Sequence, residues 1–248
     1  MLNTEMRGEI AVVTMAHGKA NALDTEFCEA IVHTLDELRS KAKAVVWTGS
    51  GSIFSAGVDL KRVLDEDVGY LHTFLPALSR AFKALYAFPN PMVSAINGHA
   101  LAGGCIIAIA ADHRIMESET ASIGMPELRV GVPVPSMALE MVRQVSGRHT
   151  DRILYRGERF GATKARELGL IDEICKAGEV LNTAVASAQG LLAVAPEVFA
   201  VTKWQLREQV FIRLHELEDE EREVERLWME PECRTRIQAY LETTLKRA

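Results

Sequence analysis

Asn97-Gly98-His99-Ala100-Leu101-Ala102-Gly103-Gly104-Cys105-Ile106-Ile107-Ala108 is the stretch on which the reading of this chain turns. It follows Met92 to Ile96, a buried-looking strand, and after Asn97-Gly98 it becomes apolar on every side, as a wholly buried helix does. The first N–H groups of such a helix lack intrahelical acceptors and carry partial positive charge. A second small-residue turn, Phe54-Ser55-Ala56-Gly57-Val58-Asp59-Leu60, lies about 45 residues earlier, between a strand and a helix start. Small residues there let a backbone N–H approach a ligand closely. Together the two loops can aim two donors at one carbonyl oxygen, the geometry that stabilises an enolate. Taken singly, each motif is no more than a tight bend. Neither the dinucleotide fingerprint nor the Gly-Lys-Ser/Thr of a phosphate loop is present, which excludes phosphate transfer.

Working outward, Ile10 to Met15 is β-rich, and Thr25 to Leu38 spaces Phe27, Ile31, Leu35 and Leu38 as a helix does. Ala44 to Thr48 is a short strand that runs into a flexible segment, Gly49 to Gly57, before a helical pattern resumes near Asp59. A long helix, Gly69 to Ala87, stops before Pro89. Asp112 to Glu117 and Ala121 to Ile123 read as short strands, followed by a loop with Pro126, Pro133 and Pro135 and then by helices. Strands alternating with helices over the first two thirds give an α/β class, while periodicity leaves the sheet topology open. From about Ala193 the composition shifts toward charge. Leu214, Leu217, Val224 and Leu227 still form a one-sided apolar stripe, able to pack on the core or on another subunit, and the expectation is a subunit interface. The expectation is a core over 1–192 and a helical oligomerisation region over 193–248.

The 248 residues carry 28 Lys+Arg against 34 Asp+Glu, a net charge of −6, with 48% hydrophobic and 6% aromatic residues. That excludes disorder, collagen and a disulfide miniprotein. Lys and Arg are scattered, so no stripe tracks a phosphate backbone and no nucleic-acid partner is expected. Cys28, Cys105, Cys175 and Cys233 lie far apart, without metal-ligand spacing, and read as reduced thiols. Met1 to Arg7 lacks a signal-peptide profile, and His99 to Ala111 is far short of the about 20 residues that span a bilayer. The expectation is a cytoplasmic protein with no membrane partner.

Phe54 to Leu60, Asn97 to Asp112, Ile123 to Glu127 and Phe160 to Ile174 together resemble the crotonase, or enoyl-CoA hydratase/isomerase, superfamily. The ordered pair of loops is far more specific than either alone. The resemblance implies a crotonase-like spiral core of ββα units, a helical C-terminal region, and assembly as a homotrimer or a dimer of trimers. It places the oxyanion-hole donors at the backbone N–H groups of Val58 and Gly103. It places CoA contacts at Lys19, Ala20, Ala22, Ala56, Asp59, Leu60 and Lys61. The partner implied is an acyl-CoA thioester substrate, with CoA entering as part of that substrate and no metal or other cofactor.

Hydratases of the superfamily use two glutamates, one directly after Gly-Gly-Cys and one in the later Pro-Glu segment. Here the first position is Ile106, and the second is Glu127, one residue further along because of a longer Met116 to Thr120 turn. Hydration needs water to be held and activated while a proton reaches C2, and isoleucine can do neither. Moving a double bond from C3 to C2 needs one base, which removes a C2 proton and returns it at C4. The chain therefore resembles a Δ3,Δ2-enoyl-CoA isomerase, with Glu127 shuttling the proton and an apolar wall at Ile106 raising its basicity. A hydratase or other crotonase-type lyase, and a non-catalytic acyl-CoA-binding scaffold, are the competing readings. His99 reads as a packing residue, Asp59 and Asp112 as caps or salt-bridge partners, and Glu140 as a reserve acid.

Overall fold

The computed structural model describes residues 1–245. The chain opens with an antiparallel hairpin of β1 (Leu2–Arg7) and β2 (Ile10–Met15). α1 (Thr25–Lys41) begins at Asp24, whose carboxylate accepts the Phe27 N–H at 2.7 Å, and it buries the predicted stripe of Phe27, Ile31, Leu35 and Leu38. Three repeats of two strands and helix follow. The first is β3 (Ala44–Gly49), β4 (Ile53–Ser55), α2 (Leu60–Asp65) and α3 (Val68–Tyr86). The second is β5 (Met92–Ile96), β6 (His99–Leu101) and α4 (Gly103–Ile109), and the third is β7 (His113–Glu117), β8 (Ile123–Gly124) and α5 (Glu127–Val130). Next come α6 (Ser136–Ser146), a 3-10 turn (Gly147–His149), α7 (Thr150–Arg156), α8 (Ala162–Glu167), β9 (Glu173–Cys175) and α9 (Val180–Leu191). The tail is α10 (Pro196–Glu216), α11 (Glu218–Met229) and α12 (Pro231–Leu245).

Each repeat gives its first strand to one sheet and its second to another. The larger sheet has the order β1-β2-β3-β5-β7-β9, parallel beyond the hairpin, and the smaller is the parallel set β4-β6-β8. The result is the expected crotonase-like ββα spiral. Every residue of β3 and β5 is buried because both sheet faces are covered, so these strands read as largely apolar runs, broken only by Thr48, Gly49 and Ser94. Alternate side chains serve two cores: Val45, Trp47, Met92 and Ile96 join the main cluster, whereas Val46, Val93 and Ala95 meet Val180, Ala184 and Ala188 of α9.

The segment expected to be flexible, Gly49 to Gly57, contains β4, and β1, β6 and β9 are strands beyond those expected. β4, β6 and β9 have three residues each, too few for a period of two to show, and they exist through their neighbours. β1 is an edge strand whose central residues are all exposed, so it has no apolar alternation to read.

The tail packs on its own chain. Leu217 is buried, Leu214 and Val224 pack against the main core, and Leu227 is half-buried, so the stripe expected to favour another subunit is largely satisfied internally. α10 is reversed in character. Its inward face carries Lys203, Arg207 and Val210, while Val198, Val201, Trp204 and Ile212 are exposed. Asp112 pairs with the inward cations: Lys203 Nζ lies 2.7 Å from Oδ2 and Arg207 Nη2 lies 2.8 Å from Oδ1, and Oδ2 also accepts the Met92 N–H at 2.8 Å. Burial pushes the Lys203 amine down to about 8, against the pull of Asp112. Among the described residues no single helix is long and apolar enough to cross a membrane.

Candidate active site

Asn97 joins the corners of two repeats. Its side-chain oxygen accepts the Gly49 N–H at 2.8 Å and the Thr48 hydroxyl at 3.2 Å, and its amide donates to Gly51 O at 2.8 Å. The loops that follow these corners are thereby set side by side. Leu23 forms a parallel bridge with Val58 by donating to Gly57 O at 2.8 Å and accepting the Asp59 N–H at 2.9 Å. In that pattern the N–H of the residue between points away from its bridging neighbour. The Val58 N–H is thus left facing the other way. Gly57 has φ +86°, and a Cβ there would stand 2.6 Å from Ala102 Cβ and 2.9 Å from Gly103 N. Glycine is what allows the two loops to touch.

Ala102 precedes α4 with φ 53° and ψ −126°, a conformation that L-residues rarely adopt and that costs about 1–3 kcal/mol. It is held by its N–H to Gly124 O at 2.9 Å and by its carbonyl, which accepts from Cys105 N at 2.8 Å and Ile106 N at 3.2 Å. This turn presents Gly103 as the first helical residue, whose N–H has no intrahelical partner. Among the described residues neither the Val58 nor the Gly103 N–H has an acceptor.

Both residues line a cavity of about 310 Å³ together with Ile106 and Glu127. The Met116 to Thr120 turn that sets the position of Glu127 is tied by Glu117, whose carboxylate accepts from Glu119 N and Thr120 N, each at 2.8 Å. Glu127 begins α5 and is only 8% exposed. Its Oε2 is buried with no hydrogen-bond partner among the described residues, and burial pushes its carboxyl up to about 7. A carboxylate so placed can take and return a proton near neutral pH. Ile106, fully buried, supplies an apolar wall.

Asp59, the other carboxylate lining the cavity, is occupied as the cap of α2, accepting the Arg62 N–H at 2.9 Å. Ala22, Ala56, Leu60 and Lys61 also line it. Lys19 and Ala20 do not: Lys19 is exposed, and the Ala20 carbonyl accepts the Ala56 N–H at 2.9 Å. His99 bonds Ser122 Oγ through Nδ1 at 2.9 Å and stays outside the lining, consistent with packing. Glu140 is no reserve acid. Ala138 lines the cavity, and a residue two further along α6 points to the opposite side, where Glu140 lies 3.6 Å from Arg143 Nε. Sequence reading missed Arg159, Trp228, Tyr240, Leu241 and Thr244, which line the same cavity. The i, i+1, i+4 spacing of the last three marks one helix face, but only the folded tail shows what that face covers.

The family model described as enoyl-CoA hydratase/isomerase matches residues 5–246. The short-chain-enoyl-CoA hydratase of Clostridium acetobutylicum is 29% identical over 204 residues, 80% of this chain and 78% of that one. Human mitochondrial enoyl-CoA delta isomerase 1 is 27% identical over 210 residues, 83% of this chain and 70% of its own length. The crystal structure of human mitochondrial Δ3,Δ2-enoyl-CoA isomerase superposes with a TM-score of 0.92 at 25% identity, covering 99% of this chain and 98% of that one. With its two-sheet spiral, paired loops and buried glutamate, this chain belongs to the enoyl-CoA hydratase/isomerase family.

Proposed function

We propose that the protein is a Δ3,Δ2-enoyl-CoA isomerase that works with one glutamate base. The observation that carries the reading is the buried Glu127 carboxyl lining a cavity walled by Ile106, at the position where the family resemblance puts a hydratase's other glutamate. The Val58 and Gly103 N–H groups bind the thioester oxygen, which makes the C2 proton acidic and stabilises the dienolate. Glu127 removes that proton and delivers it to C4. Ala22, Ala56, Asp59, Leu60 and Lys61 flank the CoA portion, with Lys19 and Ala20 at its outer end. The exposed apolar face of α10 supports assembly as a homotrimer or a pair of trimers.

The test is to supply purified protein with a 3-enoyl-CoA and, separately, a 2-enoyl-CoA, with Glu127→Gln alongside. The expected result is conjugation of the first by wild type and its loss in the variant. Rapid hydration of the second would establish a hydratase, and binding without turnover of either would establish a scaffold.

A further inference from the structure

The last helix, α12, touches both short helices that lead away from the proposed chemical groups. Cys233 and Ile237, one turn apart, are fully buried, and Tyr240, Leu241 and Thr244 roof the cavity. Two arginines among these anchors reach the neighbouring helix ends. Arg234 donates to the carbonyls of Val63 at 2.7 Å, Leu64 at 2.6 Å and Glu66 at 3.0 Å. These belong to the C-terminal end of α2, where carbonyls lack helical partners and a cation is favoured. Arg236 Nε donates to Gly131 O at 2.7 Å, at the residue that closes α5. The seat there is shaped for the arginine stem: Gly131 has φ +88°, and a Cβ on it would stand 2.7 Å from Arg236 Cδ.

α2 has 6 residues and α5 has 4, so a constraint on one end of either helix is felt at the other. α2 leads directly back through Asp59 to Val58, and α5 begins at Glu127. We infer that Arg234 and Arg236 are positioning residues that clasp α12 across the ends of α2 and α5, setting the Val58 N–H against the Glu127 carboxylate and keeping the cavity roofed. This inference rests on the reading of Val58 as donor and Glu127 as base. Arg234 is the stronger half of the clasp, since three charge-assisted bonds from a half-buried guanidinium outweigh the single bond of the exposed Arg236.

Loss of the clasp opens the roof to water. The titratable groups that share the cavity with Glu127 are Asp59 and Lys61 around the start of α2, Arg159 between α7 and α8, and Tyr240 of α12, with Cys105 of α4 also close enough to sense its charge. Burial, rather than any of these charges, holds the Glu127 carboxyl high, so wetting lowers it.

The test compares the full-length wild type with Arg234→Gln, Arg236→Gln, Arg234→Lys and Arg236→Lys. Amide hydrogen exchange without substrate is followed over 60–66 and 127–131, and 3-enoyl-CoA conjugation is followed against pH. Arg234→Gln is expected to exchange about tenfold faster over 60–66, and Arg236→Gln about tenfold faster over 127–131. The acid limb of kcat is expected to move down by about one pH unit in both, which a general loss of stability would not produce. Arg236→Lys restores its single bond, whereas Arg234→Lys cannot hold three carbonyls. Unchanged exchange in both segments, or reduced kcat with an unmoved acid limb, overturns the clasp. A wild type that conjugates no 3-enoyl-CoA overturns the functional reading instead, and the exchange measurements then decide the clasp by themselves.

Discussion

Gly57 and Gly103 belong to different turns of the spiral, yet a Cβ added to Gly57 would reach within 2.9 Å of the Gly103 nitrogen. The free N–H groups of Val58, next to Gly57, and of Gly103 are therefore neighbours through a contact that any side chain would break. Gly57→Ala is expected to lower kcat about 100-fold by misaligning a donor, and to lower stability by at least the about 1–3 kcal/mol of backbone strain at φ +86°. Steady-state conjugation of 3-enoyl-CoA and a urea melt measure the two effects separately.

Glu127 makes its own contribution to stability. Its folded-state pKa is raised from 4.5 to about 7, so folding favours the protonated form. That contribution is fully present below pH 4.5 and is lost as pH rises through about 7. Glu127→Gln, which cannot ionise, is expected to be more stable than wild type by up to about 3 kcal/mol at pH 8, with the difference shrinking toward pH 4.5. Urea unfolding of both proteins across that range checks the sign. Activity requires the carboxylate, so kcat is expected to fall below about pH 7.

Ile106→Glu places a second carboxyl in the cavity. Two such groups cannot both ionise cheaply, so the acid limb of conjugation is expected to move up by about one unit or more. Hydration of a 2-enoyl-CoA is expected to become measurable while conjugation declines. Rates with both substrates against pH provide the comparison. A variant whose acid limb stays in place would show that position 106 does not sense Glu127.

Asp112 neutralises Lys203 and Arg207, both buried against it. Asp112→Ala leaves two cations without their partner and is expected to destabilise the fold by about 3–5 kcal/mol. Because Asp112 does not line the active cavity, kcat per folded molecule should remain close to that of wild type. Thermal melting and active-site titration separate the two quantities.

Trp204 lies on the outward apolar face of α10, 49% exposed. Under the proposed assembly, Trp204→Glu is expected to give single chains where the wild type sediments as a trimer or a pair of trimers. A wild type that already sediments as one chain would refute the assembly.

The strands and helices with long apolar patterns were legible in the sequence because burial on one or two faces imprints its period on the residues. The stripe of α1 and the largely apolar runs of β3 and β5 show this. The two loops were legible for a related reason. Close backbone approach admits only small residues, and Gly57 and Gly104 preserve that requirement in order along the chain. Ile106 and Glu127, on which the proposed reaction turns, were visible as letters. Three-residue strands were not legible, since they are held by partners distant in sequence.

The sequence by itself determined the α/β class and the resemblance to the family's spiral fold, and it carried the residues on which the proposed site rests. Tertiary structure alone decided what the charged tail does. A stripe such as Leu214, Leu217 and Val224 specifies that a face is to be covered but not by which surface, and the fold shows that its own core covers it. Arg234 and Arg236 have the same character. Each reads as a solvated charge until its carbonyl acceptors, contributed by helices more than 100 residues earlier, come into place.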